Sequence, residues 1–99
     1  MNSAGLLEMS SKKLKPKSKR GTWQVTLHDD PVNTFDHVIE CLVDICAHNE
    51  FQAHQCALIV HNRKRCVIYK DNWAGCETVK HMLRSEGLTV TVEKYEKDS

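Results

Sequence analysis

Apolar and polar residues change period along this chain from two to between three and four and back, which divides it into short strands and helices. Thr22 to His28 (TWQVTLH) puts Trp23, Val25 and Leu27 on one face and Thr22, Gln24, Thr26 and His28 on the other, the alternation of a half-buried strand. From Asn33 to Ala47 the apolar residues Phe35, Val38, Ile39, Leu42 and Ile45 recur at helical spacing. Asn33 serves as the expected cap and Asp36 stands three residues on, in the manner of a capping box. His48 and Asn49 interrupt that stripe, and Phe51 to His61 (FQAHQCALIVH) predicts a second helix with Ala57, Leu58 and Val60 toward the core. So short a link makes the two a helical hairpin.

Arg63 and Lys64 then form a basic turn before Cys66 to Tyr69 (CVIY), a β-branched apolar run that predicts the second strand. Asp71 is the expected cap of a third helix whose stripe is Trp73, Cys76, Val79, Met82 and Leu83 and which ends at Gly87. Leu88 to Tyr95 (LTVTVEKY) alternates again and closes the chain as a third strand. The order β-α-α-β-α-β predicts an α/β (α+β) sandwich, a three-stranded, mostly antiparallel sheet covered by three helices. Three strands need such a cover to make one core.

Charge divides the chain differently. Residues 1 to 20 carry six basic side chains against the single acid Glu8, whereas residues 21 to 99 carry eight basic and twelve acidic ones. Ser, Lys and Pro dominate residues 9 to 20, so residues 1 to 21 are expected to be a flexible basic N-terminal arm and residues 22 to 99 the folded domain. The acidic body argues against a nucleic-acid partner, because it repels phosphate. At 99 residues there is room for one domain with a modest core. No segment approaches the roughly 18 apolar residues of a membrane span. The first residues lack the order of a secretion signal, and five cysteines make an odd count, so reduced thiols in a cytoplasmic protein are expected.

The chemistry concentrates at LHDDPVNTF. Asp29 and Asp30 stand where the first strand stops and the first helix is about to start. One carboxylate there can satisfy helix N–H groups while another stays free for a ligand with a positive end and an apolar end. Two other chemistries have candidates. Cys46-Ala47-His48, His54-Gln55-Cys56 and the stretch from His61 to Cys66 mix metal-ligating types, but without the Cys-x₂₋₄-Cys spacing of zinc sites, so no metal or cofactor is expected. No local signature singles out a Cys/His nucleophile, so the chain does not read as an enzyme. A small metal- or nucleic-acid-binding regulatory domain is the alternative function class.

The runs HDDPVNTFDHVIECL, QCALIVH and LTVTVEK resemble the ClpS family, adaptors of the ATP-dependent Clp protease that recognise N-terminal degradation signals; the resemblance spans about residues 22 to 95. It implies the same β-α-α-β-α-β fold. It also implies a monomeric adaptor that binds an N-degron peptide or protein substrate through a bulky first residue (Leu, Phe, Tyr or Trp) and delivers it to a Clp AAA+ unfoldase of the ClpA or ClpC type.

In that family Asn-Asp-Asp after the first strand and a His at the end of the second helix bind the α-amine. Matched without a gap, Asp29, Asp30 and Pro31 take the three turn positions. With a gap in the turn, His28, Asp29 and Asp30 take them, and His61 matches the family's histidine in both registers. The side-chain pocket implied is Asn33, Phe35, Val38, Ala57, Val60 and Leu88. Asp29 departs from the usual Asn, Pro31 from the second acid in the gapless register, Ala57 from a frequent Met and Lys64 from a turn residue that tends to be Gly. Ala57 leaves a wider floor, so a pocket tolerant of aromatic rings is expected.

Overall fold

A computed structural model describes residues 18–96. The elements run β1 (Trp23–His28), α1 (Phe35–Cys46), α2 (Glu50–Arg63), β2 (Arg65–Asp71), α3 (Trp73–Ser85) and β3 (Val90–Lys94). β1 is the centre of a fully antiparallel sheet in the order β2-β1-β3. The hydrophobic core lies between this sheet and the helices and is built on Val25 and Leu27 of β1, Leu42 of α1, Ala53 and Val60 of α2, Cys76, Val79 and Leu83 of α3, and Leu88 and Val90. The amino-terminal arm lies outside the described residues as far as residue 17. Its last residues touch the folded domain, with Lys94 Nζ donating to the Ser18 and Arg20 carbonyls and Lys19 Nζ 3.9 Å from the Trp73 ring centroid.

The caps differ from the sequence expectation by one residue each. Thr34, not Asn33, caps α1, its hydroxyl accepting from the His37 N–H, because the Asn33 side chain is committed elsewhere and donates 3.0 Å to the Gly87 carbonyl. Asn72, not Asp71, caps α3, because Asp71 ends β2 and its carboxylate accepts from the Tyr69 hydroxyl and the Asn72 N–H. Met82 does not belong to the buried stripe of α3; it is 47% exposed, while Cys76, Val79 and Leu83 turn inward. On α2, Ala53 is buried with Ala57 and Val60, and Leu58 is only half-buried. The third strand starts later than expected, at Val90; Leu88 and Thr89 precede it, although the Thr89 carbonyl already accepts from the His28 N–H of β1.

The hairpin between α1 and α2 is fixed at both ends. Ala47 closes α1 in the left-handed region, and Asn49 opens α2 with a reciprocal capping box to Gln52. Between them, His48 donates from Nε2 to the Ile68 carbonyl at 2.7 Å. Ile68 is the extra residue of a β-bulge, since Val25 pairs with Tyr69 and Thr26 with Val67. A bulge leaves one residue without its ladder partner, and His48 takes up the carbonyl.

The five cysteines are free thiols. Burial pushes Cys46 up to about 12, and it also raises Cys41 and Cys76. Cys66 goes the other way, lowered by the neighbouring Cys56 thiol, and Cys56 is raised in return. The thiolate is the nucleophile, so brief iodoacetamide treatment near neutral pH should modify Cys66 first. Peptide mapping by mass spectrometry reads the order, and equal labelling of all five would contradict this pairing.

Candidate functional site

One cavity of about 400 Å³ opens where the end of β1, the start of α1, the end of α2 and the chain before β3 meet. That lies within the size range of small-ligand pockets. Its walls include all nine residues singled out in the sequence: Asp29, Asp30, Asn33, Phe35, Val38, Ala57, Val60, His61 and Leu88.

The floor is a consequence of how two helices end. α3 stops in a Schellman motif: Gly87 has φ +89°, the Gly87 N–H donates to the Arg84 carbonyl and the Leu88 N–H to the Leu83 carbonyl. This turn drops Leu88 beside Leu83, both almost fully buried, and Leu88 enters the cavity from below. Asn33 ties the start of α1 to the same turn through Gly87. Ala57 and Val60, one helical turn apart on α2, supply the opposite side, and both are at most 6% exposed. Val38 of α1 completes the apolar lining, and Ala57 fills less of it than any larger residue would.

The mouth is polar. β1 ends at His28, whose ring nitrogen Nε2 lies 2.8 Å from the Thr91 hydroxyl and whose backbone N–H donates to the Thr89 carbonyl. That engagement directs the His28 ring to Thr91 of β3, although His28 also borders the cavity, and Asp29 and Asp30 follow it as the two acids of the turn. Asp30 forms an Asx turn: one carboxylate oxygen accepts from the Val32 N–H at 2.7 Å, and the other accepts from the Thr89 hydroxyl at 2.9 Å. These two bonds hold its carboxyl below the usual carboxylate range, so the side chain stays charged and oriented. Each oxygen keeps further lone-pair capacity for a ligand donor.

Asp29 is engaged differently. Its N–H donates to the Lys64 carbonyl, and its carboxylate lies 3.3 Å from Lys64 Nζ. Across the mouth, exposed His61 sits edge-on to Phe35, with ring centroids 5.7 Å apart and planes at 75°. That contact orients the imidazole. Thr89 was not apparent from the sequence as part of the site, because nothing in an alternating strand marks one threonine as a carboxylate partner.

Lys64 ends α2 at φ +77°, in the left-handed region that costs a residue with a Cβ about 1 kcal/mol. Lys64→Gly should relieve that strain and at the same time release Asp29. Exposed ion pairs carry little energy, so the expected gain in affinity for a positively charged ligand is about two- to fivefold by fluorescence anisotropy. No gain would mean that Asp29 takes no part in binding.

A family model described as "ATP-dependent Clp protease adaptor protein ClpS" matches residues 18–91. The curated ATP-dependent Clp protease adapter protein ClpS of Prochlorococcus marinus (strain MIT 9515) is 29% identical over 96 residues, covering 96% of this chain and 90% of that protein. Among solved structures, Agrobacterium tumefaciens ClpS2 bound to L-phenylalaninamide has the same fold, with a TM-score of 0.67 at 18% identity, covering 75% of this chain and 96% of that one.

Proposed function

The chain belongs to the ClpS family of ATP-dependent Clp protease adaptors, and from that premise we propose that its cavity reads the first residue of a protein marked for degradation. The observation that carries this reading is the composition of the cavity: an apolar floor under a mouth bearing two carboxylates and an imidazole. A free N-terminal residue presents a matching pair of features. Its ammonium group donates to Asp30, Asp29 and His61, and its side chain enters among Val38, Ala57, Val60 and Leu88. An internal residue offers only one neutral amide donor in place of the charged ammonium group. Burying a Leu- or Phe-sized side chain contributes roughly 1.5–3 kcal/mol. After the cost of association, micromolar binding is the expectation. Phe, Leu, Tyr and Trp are the first residues that suit the floor, and a Clp AAA+ unfoldase of the ClpA or ClpC type receives the bound substrate. In this role the chain acts as a monomer.

The supporting test is a titration of a labelled Phe-initiated peptide as a function of pH. Asp30 has a depressed pKa, so its charge is present above the ordinary carboxylate range and is lost only as pH falls through the lower value. The peptide amine has an ordinary pKa of about 7.7–8.0 and loses its charge as pH rises. Affinity should therefore fall above about pH 8. A profile that stays flat to pH 9.5 would contradict recognition of the ammonium form. An Ala-initiated peptide that binds as tightly as the Phe-initiated one would contradict the apolar floor.

A further inference from the structure

We propose that His37 and Cys41 of α1 and Glu86 at the end of α3 form a binding site for a divalent transition-metal cation of the zinc type. The site lies outside the cavity described above. His37 and Cys41 stand one helical turn apart on the same face of α1. The Schellman turn that ends α3 brings Glu86 against them. The ligand atoms of the three side chains all lie within 4.8 Å of one another.

The spacing of the first two is the one a metal requires. Zinc binds thiolate sulfur at about 2.3 Å and imidazole nitrogen at about 2.0–2.1 Å; at a tetrahedral angle this sets sulfur and nitrogen about 3.6 Å apart. Cys41 Sγ and His37 Nε2 are 3.6 Å apart. The Glu86 side chain is exposed and can turn its carboxylate inward as third ligand. A water supplies a fourth, and His37 Nε2 must give up its 2.8 Å hydrogen bond to the Glu86 carbonyl to bind the ion. Sulfur, nitrogen and oxygen together suit zinc or cobalt and are wrong for magnesium or calcium, which take oxygen alone.

The charge around the trio supports a cation. Glu40 and Asp44 on α1 and Glu86, just beyond α3, set three negative charges around Cys41. None of the three acids forms an ion pair among the described residues. Without metal, the His37 Nε2–H donates to the Glu86 carbonyl. On binding, Cys41 releases its thiol proton to solvent, and the imidazole changes tautomer to carry its proton on Nδ1, leaving Nε2 as a ligand. The bound ion would clamp α1 to the end of α3, two residues before Leu88.

The test is titration of the full, reduced, metal-free chain with cobalt(II) and then zinc(II). One cobalt per chain is expected, with a thiolate-to-cobalt charge-transfer band that zinc abolishes and a rise in Tm. Cys41→Ser and His37→Gln should remove the band, and Glu86→Gln, an exposed change that spares the core, should weaken binding at least about tenfold. The double variant Cys56→Ser/Cys66→Ser should retain the band. The site is refuted if wild type gives no band, if the band survives Cys41→Ser, if Glu86→Gln leaves affinity unchanged, or if the double variant loses the band.

Discussion

Replacing Asp30 with Ala is expected to weaken binding of a Phe-initiated peptide by roughly 10- to 100-fold, the factor associated with losing a charge-assisted hydrogen bond. Two effects contribute. The ammonium loses its oriented anionic partner, and the Val32 N–H and Thr89 hydroxyl lose the acceptor that shapes the turn. Asp30→Asn separates them, because an amide oxygen can still receive Val32 while the charge is gone. If charge is what the ligand reads, Asn falls most of the way to Ala in affinity measured by anisotropy. If shape is what matters, Asn stays near wild type. Neither change should reduce affinity for an acetylated peptide, whose binding is already weak. An Asp30→Ala variant that binds the free-amine peptide normally would remove this carboxylate from the site.

The second large effect concerns stability. Leu83 is fully buried in α3, and its carbonyl accepts the Leu88 N–H of the Schellman turn. Leu83→Ala removes atoms from a closed core and leaves a cavity, at a cost of about 2–5 kcal/mol. Domains of this kind have only about 5–15 kcal/mol of stability, so the midpoint of urea unfolding should drop sharply. The remaining folded protein should also bind the Phe-initiated peptide less well, since Leu88 loses the residue it packs against. A midpoint within experimental error of wild type would show that Leu83 is not a core anchor. In contrast, Met82→Ala one residue earlier should be nearly neutral, because that side chain is half in solvent.

The order of elements was legible because each apolar stripe is strong enough to announce its period. β1 and β3 alternate, α1 and α3 repeat at helical spacing, and the sheet follows from what those faces must bury. Cap positions were less legible, for a local physical reason. Asn33 and Thr34 are both good N-caps, and only the distant Gly87 carbonyl decides between them by taking up the Asn33 amide. Asp71 and Asn72 pose the same choice, settled by the Tyr69 hydroxyl.

The nine candidate site residues surround one cavity because most of them lie at or just beyond the ends of elements that the β-α-α-β-α-β order brings together, with Ala57 reaching it from the middle of α2. Spacing alone did not find Thr89, whose partner Asp30 is remote in sequence. Nor did it reveal the ion pair of Asp29 with Lys64, or the meeting of Glu86 with His37 and Cys41, which depends on where α3 stops. Glycine's usual place at position 64 does have a visible cause: the residue there is in the left-handed region. The lysine accepts that strain and sets a positive charge beside the turn acids.

The most direct test of the reading is a two-dimensional amide NMR titration of the full chain with L-phenylalaninamide and, separately, with its N-acetyl derivative. Saturable shifts at Asp30, Val38, Ala57, His61, Leu88 and Thr89 with the free amine, and none at the same concentrations with the acetylated compound, are the expected result. Equal shifts from both compounds, or shifts that map away from these residues, would contradict recognition of a free N-terminal residue in this cavity.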